Sequence, residues 1–115
     1  MLNFEYKYTV TERFLRYVTF DTQSDDKSDT YPSTPKQWQL LKQLQKELME
    51  MQLSQVVLDE HGYLTALLPS NLEYEVPTIS FWSHIDTSPS VSGNGVKPII
   101  HRNYQGQDIT LPKDQ

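Results

Sequence analysis

The stretch from Thr34 to Met51 constrains this chain more than any other part of it. Thr34-Pro35-Lys36-Gln37 has the layout of a helix start. Thr can cap, Pro is tolerated at the first helical position because its missing N–H would be unbonded there anyway, and Gln at the third position can bond back to the cap. Trp38, Leu41, Leu44, Leu48 and Met51 then recur at three- and four-residue steps, with Lys42, Gln45, Lys46 and Glu50 between them. A long helix with one apolar stripe must bury it, so the pattern demands a sheet or a second helix to pack on.

The neighbouring segments supply such partners. Thr9 with Glu12 forms a capping box, and Val10, Phe14, Tyr17 and Val18 follow on one helical face, which predicts a helix from Val10 to about Thr19. Residues 1–7 read as a leader with freedom to move. From Asp21 to Ser33 almost every side chain is polar, the composition of a mobile surface loop. Val56-Val57-Leu58 and Tyr63 to Leu68 are β-prone runs around Asp59-Glu60-His61-Gly62, where Gly62 supplies the positive φ of a tight hairpin.

Pro69 to Pro77 reads as a polar loop, Thr78 to Trp82 as an apolar strand, Ser88 to Gly95 as a loop and Val96 to His101 as a further strand. Phe14, Tyr17 and Trp38 are expected in the helical core, Phe81 and Trp82 in the sheet core. The order of elements gives an α/β domain with helices packed on a sheet. Three or four strands with one long helix leave an edge and a face uncovered, so the isolated chain is expected to self-associate or take a partner.

Composition narrows the function. A formal charge of −5 and a pI near 5.0 argue against nucleic acid, which is held by clustered Lys and Arg. There is no cysteine, so no disulfide forms and any metal must be held by His, Asp or Glu, as suits a cytoplasmic protein. Neither a secretory signal nor a run of about 18 apolar residues appears.

The chemistry is concentrated at His84 and Asp86. They stand two apart at the end of the expected strand, so alternation puts both side chains on one face. An imidazole can bind a metal through one nitrogen while the other donates to a carboxylate, which fixes the tautomer and strengthens the ligand. Taken alone, an H-x-D tripeptide is more often a polar strand end than a metal site. His61, in the expected turn, and His101, after an apolar run, read as solvated or structural histidines. Asp25, Asp26 and Asp29 lack the Gly and Glu of a calcium loop and read as solvated. Gly-rich phosphate loops, a G-x-S-x-G elbow and an H-E-x-x-H helix are all absent from the sequence.

The surroundings of the tripeptide add a resemblance. Phe81-Trp82-Ser83-His84-Ile85-Asp86-Thr87-Ser88-Pro89 resembles the first metal motif of the co-catalytic di-zinc metallopeptidases, in particular the peptidase T family. Arg13 to Val18, Phe20 to Ser24, Pro32 to Thr34, Gln37 to Leu41, Asp59 to Leu64, Ser92-Gly93 and Asn103 to Ile109 are similar to that family in the same order.

The resemblance implies the N-terminal part of a three-layer αβα catalytic domain with a mixed sheet, over residues 8–115, from a cytoplasmic aminopeptidase that removes the N-terminal residue of tripeptides using two zinc ions. His84 would match a zinc ligand, and Asp86 the catalytic carboxylate that orients it. The bridging Asp, the Glu general base, the remaining ligands and the dimerisation domain of that family have no counterpart in this chain. The chain alone is therefore expected to be inactive, with the family's homo-oligomeric state as the expectation for the whole enzyme. The alternatives are another di-zinc peptidase or deacylase of the same superfamily, or a non-catalytic α/β binding module.

Overall fold

The computed structural model describes residues 8–111, in which the chain forms two helices followed by a two-stranded antiparallel sheet, an α/β arrangement. The expected leader, residues 1–7, lies outside the described residues.

Helix α1 spans Val10–Tyr17 and starts on the expected capping box. The Glu12 N–H donates to Thr9 Oγ1 at 3.2 Å, and the Thr9 N–H donates to Glu12 Oε2 at 2.7 Å. None of its residues is buried. Phe14, expected in the core, is 62% exposed, because α1 meets the rest of the chain through its arginines and Tyr17 instead.

Helix α2 spans Gln37–Glu50, and its start differs from the expected one. Thr34 does not cap it: the Thr34 hydroxyl donates to Gln23 O at 2.8 Å, and the Gln37 amide donates to the Ser33 hydroxyl at 3.1 Å. Gln37, Trp38 and Gln39 donate from their backbone N–H groups to Thr34, Pro35 and Lys36, a tight i−3 turn that winds into the helix. The helix closes on a Schellman motif, with Leu53 N–H bonded to Leu48 O and Gln52 N–H to Met49 O. Gln52 takes the left-handed conformation this requires (φ 59°), a place where glycine is the commoner residue.

Strands β1 (Ser54–Leu58) and β2 (Leu64–Leu67) form the expected hairpin. Between Ser54 and Val57 the register slips at a bulge, where Gln55 has φ 50°. Alternation then turns Val56 and Leu58 toward α2 and leaves Val57 53% exposed. The turn is held by the Asp59 carboxylate, which accepts from the N–H groups of His61 (3.0 Å) and Tyr63 (2.8 Å). Gly62 has φ 83°, and a Cβ there would lie 2.7 Å from Pro32 Cγ and 3.2 Å from Leu41 Cδ1. The hairpin tip thus packs on Leu41, which with Leu40 forms the buried apolar core. Gly62→Ala should combine left-handed strain with overpacking and cost about 2–4 kcal/mol. Denaturant unfolding of that variant checks this, and a change below about 0.5 kcal/mol, the usual surface value, would contradict it.

From residue 68 to residue 111 there is no helix or strand, only a single parallel bridge between Gln23 and Thr87. The strands expected at Thr78–Trp82 and Val96–His101 do not form, and Phe81 and Trp82 are 95% and 88% exposed instead of buried. The reason is that a strand is completed by its neighbours: no described segment lies beside these runs to pair their backbone. The Cα radius of gyration of 17.8 Å, against about 13 Å for a compact domain of this length, expresses the same lack of packing. No helix among the described residues is long and apolar enough to cross a membrane.

Candidate functional site

His84 and Asp86 lie on the extended segment, and the structure brings them together. His84 Nδ1 and Asp86 Oδ1 are 3.0 Å apart, a hydrogen bond that engages one ring nitrogen and leaves Nε2 as the ring atom that could coordinate a metal. The imidazole is 83% exposed and the carboxylate 42%, so Nε2 is accessible from solvent. The pairing expected from the spacing is present, although the strand on which it was expected is not.

The anchor of the pair begins one residue later. The Thr87 N–H donates to Thr22 O at 3.1 Å, and Thr87 O accepts from both the N–H and the hydroxyl of Ser24, each at 2.9 Å. The Gln23 amide donates to Pro89 O at 2.8 Å, and its oxygen accepts from Lys36 Nζ at 3.1 Å. Lys36 also pairs with Asp21 at 3.0 Å. Asp21 accepts further from the Gln23 N–H, and that bond followed by the Lys36 ammonium holds its carboxyl below the usual carboxylate range. Gly93 packs close to this carboxylate, and a Cβ there would lie 2.9 Å from Asp21 Oδ1. The segment Asp21–Ser33 is thus no free surface loop, because its first residues are tied to residues 87–93 and Thr22 is buried. The sequence offers little sign of this, since the partners lie 63 and 66 positions apart.

The other candidates stay apart from the pair. His61 and His101 are exposed, the first within the hairpin turn and the second on the extended segment. Asp25, Asp26 and Asp29 are exposed, and the Asp25 carboxylate accepts from the Lys27 N–H. Among the described residues no group of three or more His, Cys, Asp or Glu side chains is placed to hold a metal ion.

A second cluster, which sequence reasoning missed, surrounds Glu47. Its carboxylate accepts from Arg13 (2.6 Å), Arg16 (2.9 Å), Gln43 (2.7 Å) and the Tyr17 hydroxyl while only 4% exposed. Burial works to raise its pKa, but the Tyr17 and Gln43 hydrogen bonds and the two arginines outweigh it and leave the carboxyl below its usual range. Burial, and then the hydrogen bond to Glu47, push the Tyr17 phenol up. All four donors converge on one carboxylate, so the cluster joins α1 to α2.

No family model matches the chain. It is 55% identical over 106 residues to a protein of Clostridium acetobutylicum named peptidase T, a match covering 92% of this chain and 26% of that protein. Proteins of the same name from a Geobacillus species and from Aliivibrio fischeri are 51% and 53% identical, across 91% and 89% of this chain and 26% and 25% of their own length. The chain spans about a quarter of the length of these curated relatives, and over that span it belongs to the peptidase T family.

Proposed function

We propose that residues 8–115 are the N-terminal portion of the catalytic domain of a zinc-dependent aminopeptidase of the cytoplasm, which removes the N-terminal residue from tripeptides. In the whole enzyme the domain would be a three-layer αβα structure with a mixed sheet. The observation that carries this reading is the His84 imidazole engaged through Nδ1 by Asp86, in a chain about half identical to proteins named peptidase T.

An imidazole oriented by a carboxylate, with its second nitrogen facing solvent, suits a zinc ion. His84 would be the ligand. Asp86 would fix the ring tautomer and, by its negative charge, raise the basicity of Nε2. When bound, zinc would polarise the scissile carbonyl and lower the pKa of a bound water, and the family resemblance implies two such ions. The contribution of this chain is the placement of the imidazole and of the carboxylate beside it. A catalytic zinc site takes about three protein ligands and the described residues hold no such group, so the remaining ligands and the general base would come from the rest of the whole enzyme.

The test compares the full-length enzyme carrying this segment with the 115-residue chain, using tripeptides, dipeptides and N-acylated amino acids, with zinc titration by calorimetry. The expected result is chelator-sensitive turnover of tripeptides by the full-length enzyme, and neither turnover nor stoichiometric zinc binding by the 115-residue chain. Preference for a dipeptide or an acylated amino acid would move the reading to another di-zinc hydrolase. Turnover that survives complete zinc removal would end it.

A further inference from the structure

We propose that the loop Asp21–Ser24, with Gln23 and its partner Lys36 as the acting side chains, is the positioning element of the His84–Asp86 pair. The inference rests on the metal reading of that pair and adds residues to it.

The anchors lie on one side of the pair. Among the described residues, the side-chain hydrogen bonds of residues 69–86 are local: Leu72 to Ser70, Ser83 to the His84 carbonyl, and His84 to Asp86. The bonds that reach distant sequence begin at Thr87, directly after Asp86. Both polar groups of the Thr87 backbone are used, the N–H by Thr22 and the carbonyl by Ser24. The position of Asp86 is therefore set from its C-terminal side, and the His84 ring is set in turn by Asp86.

Gln23 closes the arrangement. Its two amide ends have different partners, Lys36 Nζ on the oxygen and Pro89 O on the nitrogen, so the amide can serve both in one orientation only. Lys36 stands at the cap position of α2, so the rigid helix is connected through Gln23 to the backbone two residues beyond Thr87. A carboxylate at position 23 would keep the pairing with Lys36 but could not donate to Pro89 O. Gln23→Glu thus removes the clip with little change of volume.

Two readouts test the proposal. In the 115-residue chain, nitrogen NMR of the His84 ring should show the Nδ1–H tautomer that pairs with Asp86. Gln23→Glu and Ser24→Ala should shift the ring toward a mixture of tautomers, with the hairpin signals and unfolding midpoint unchanged. In the full-length enzyme, both variants should lower kcat about 10-fold with little change in KM, the lower end of what partners of a metal ligand contribute. If either variant loses its fold, the other and Lys36→Met take its place. A His84 ring that keeps its tautomer in both folded variants, with kcat unchanged, overturns the positioning role. The metal reading fails separately, if His84→Ala retains turnover, and the ring measurement still judges the loop in that case.

Discussion

Replacing Glu47 by alanine should release helix α1 from α2 and cost about 3 kcal/mol, the lower end of the usual loss when a buried ion pair is deprived of one partner. The carboxylate is 4% exposed and receives four donors, from Arg13, Arg16, Tyr17 and Gln43. Helix α1 has eight residues and buries none of them, so it has neither the length to persist alone nor an apolar face that would keep it docked. The arginines are 18% and 29% exposed and would regain some water, which keeps the expected loss from being larger.

The same cluster sets a pH window. The Glu47 carboxyl is lowered in the folded chain, so its contribution is present above the unfolded carboxylate value and is lost as pH falls through the folded one. The Tyr17 phenol is raised, so its contribution is present below the ordinary phenol value and is lost as pH rises through the folded one. Docking of α1 should therefore weaken at both extremes. Amide hydrogen exchange of residues 13–17 in the parent and the variant measures it. Equal protection in the two proteins at neutral pH, or protection in the parent that persists in acid, would show that something other than Glu47 holds α1.

How much of this is legible in the sequence depends on the range of the interactions. The capping box of α1 and the hairpin around Gly62 are readable because each is settled within about five residues. The long helix is readable from its apolar stripe, yet its start is not. The Thr34 hydroxyl has an alternative acceptor, Gln23 O, that no local pattern reveals. Glu47 sits on a helix whose other charged residues are solvated; beyond the local Gln43, its charged partners and Tyr17 come only from the fold of α1 over it, 30 to 34 positions away. The apolar runs at 78–82 and 96–101 have strand composition without a neighbour to pair with. Composition states what a segment can become, and pairing decides whether it does.

The candidate site divides along the same line. The contact between His84 and Asp86 spans two residues and is readable from the spacing, whereas its anchor in Thr22, Gln23 and Ser24 is non-local. The residues Phe20 to Ser24 belong to the part of the sequence that resembles the family, but nothing in their chemistry alone connects them to His84. The parallel bridge to Thr87 and the side-chain bonds of Gln23 and Ser24 to residues 87–89 do so.

In the full-length enzyme, His84→Ala should abolish the proposed tripeptide cleavage, and in the 115-residue chain it should leave stability within about 0.5 kcal/mol, the usual range for an exposed side chain. In that chain the ring makes one hydrogen bond, to Asp86, and is exposed, so its removal takes away the proposed ligand without opening a cavity. Asp86→Asn should be milder. The asparagine oxygen can still accept from Nδ1, so the ring keeps its orientation, but the negative charge that would strengthen Nε2 as the proposed ligand is gone. A loss of about 10- to 100-fold in zinc affinity or kcat is the expected size for such a partner. Steady-state kinetics, zinc content and thermal unfolding of the two variants separate the possibilities. Turnover retained in His84→Ala would remove the residue from the site, and an Asp86→Asn enzyme with unchanged zinc affinity and rate would show that the carboxylate acts only on the backbone around it. An inactive His84→Ala that has also lost its fold would assign the imidazole a structural part, against its exposure and its single contact.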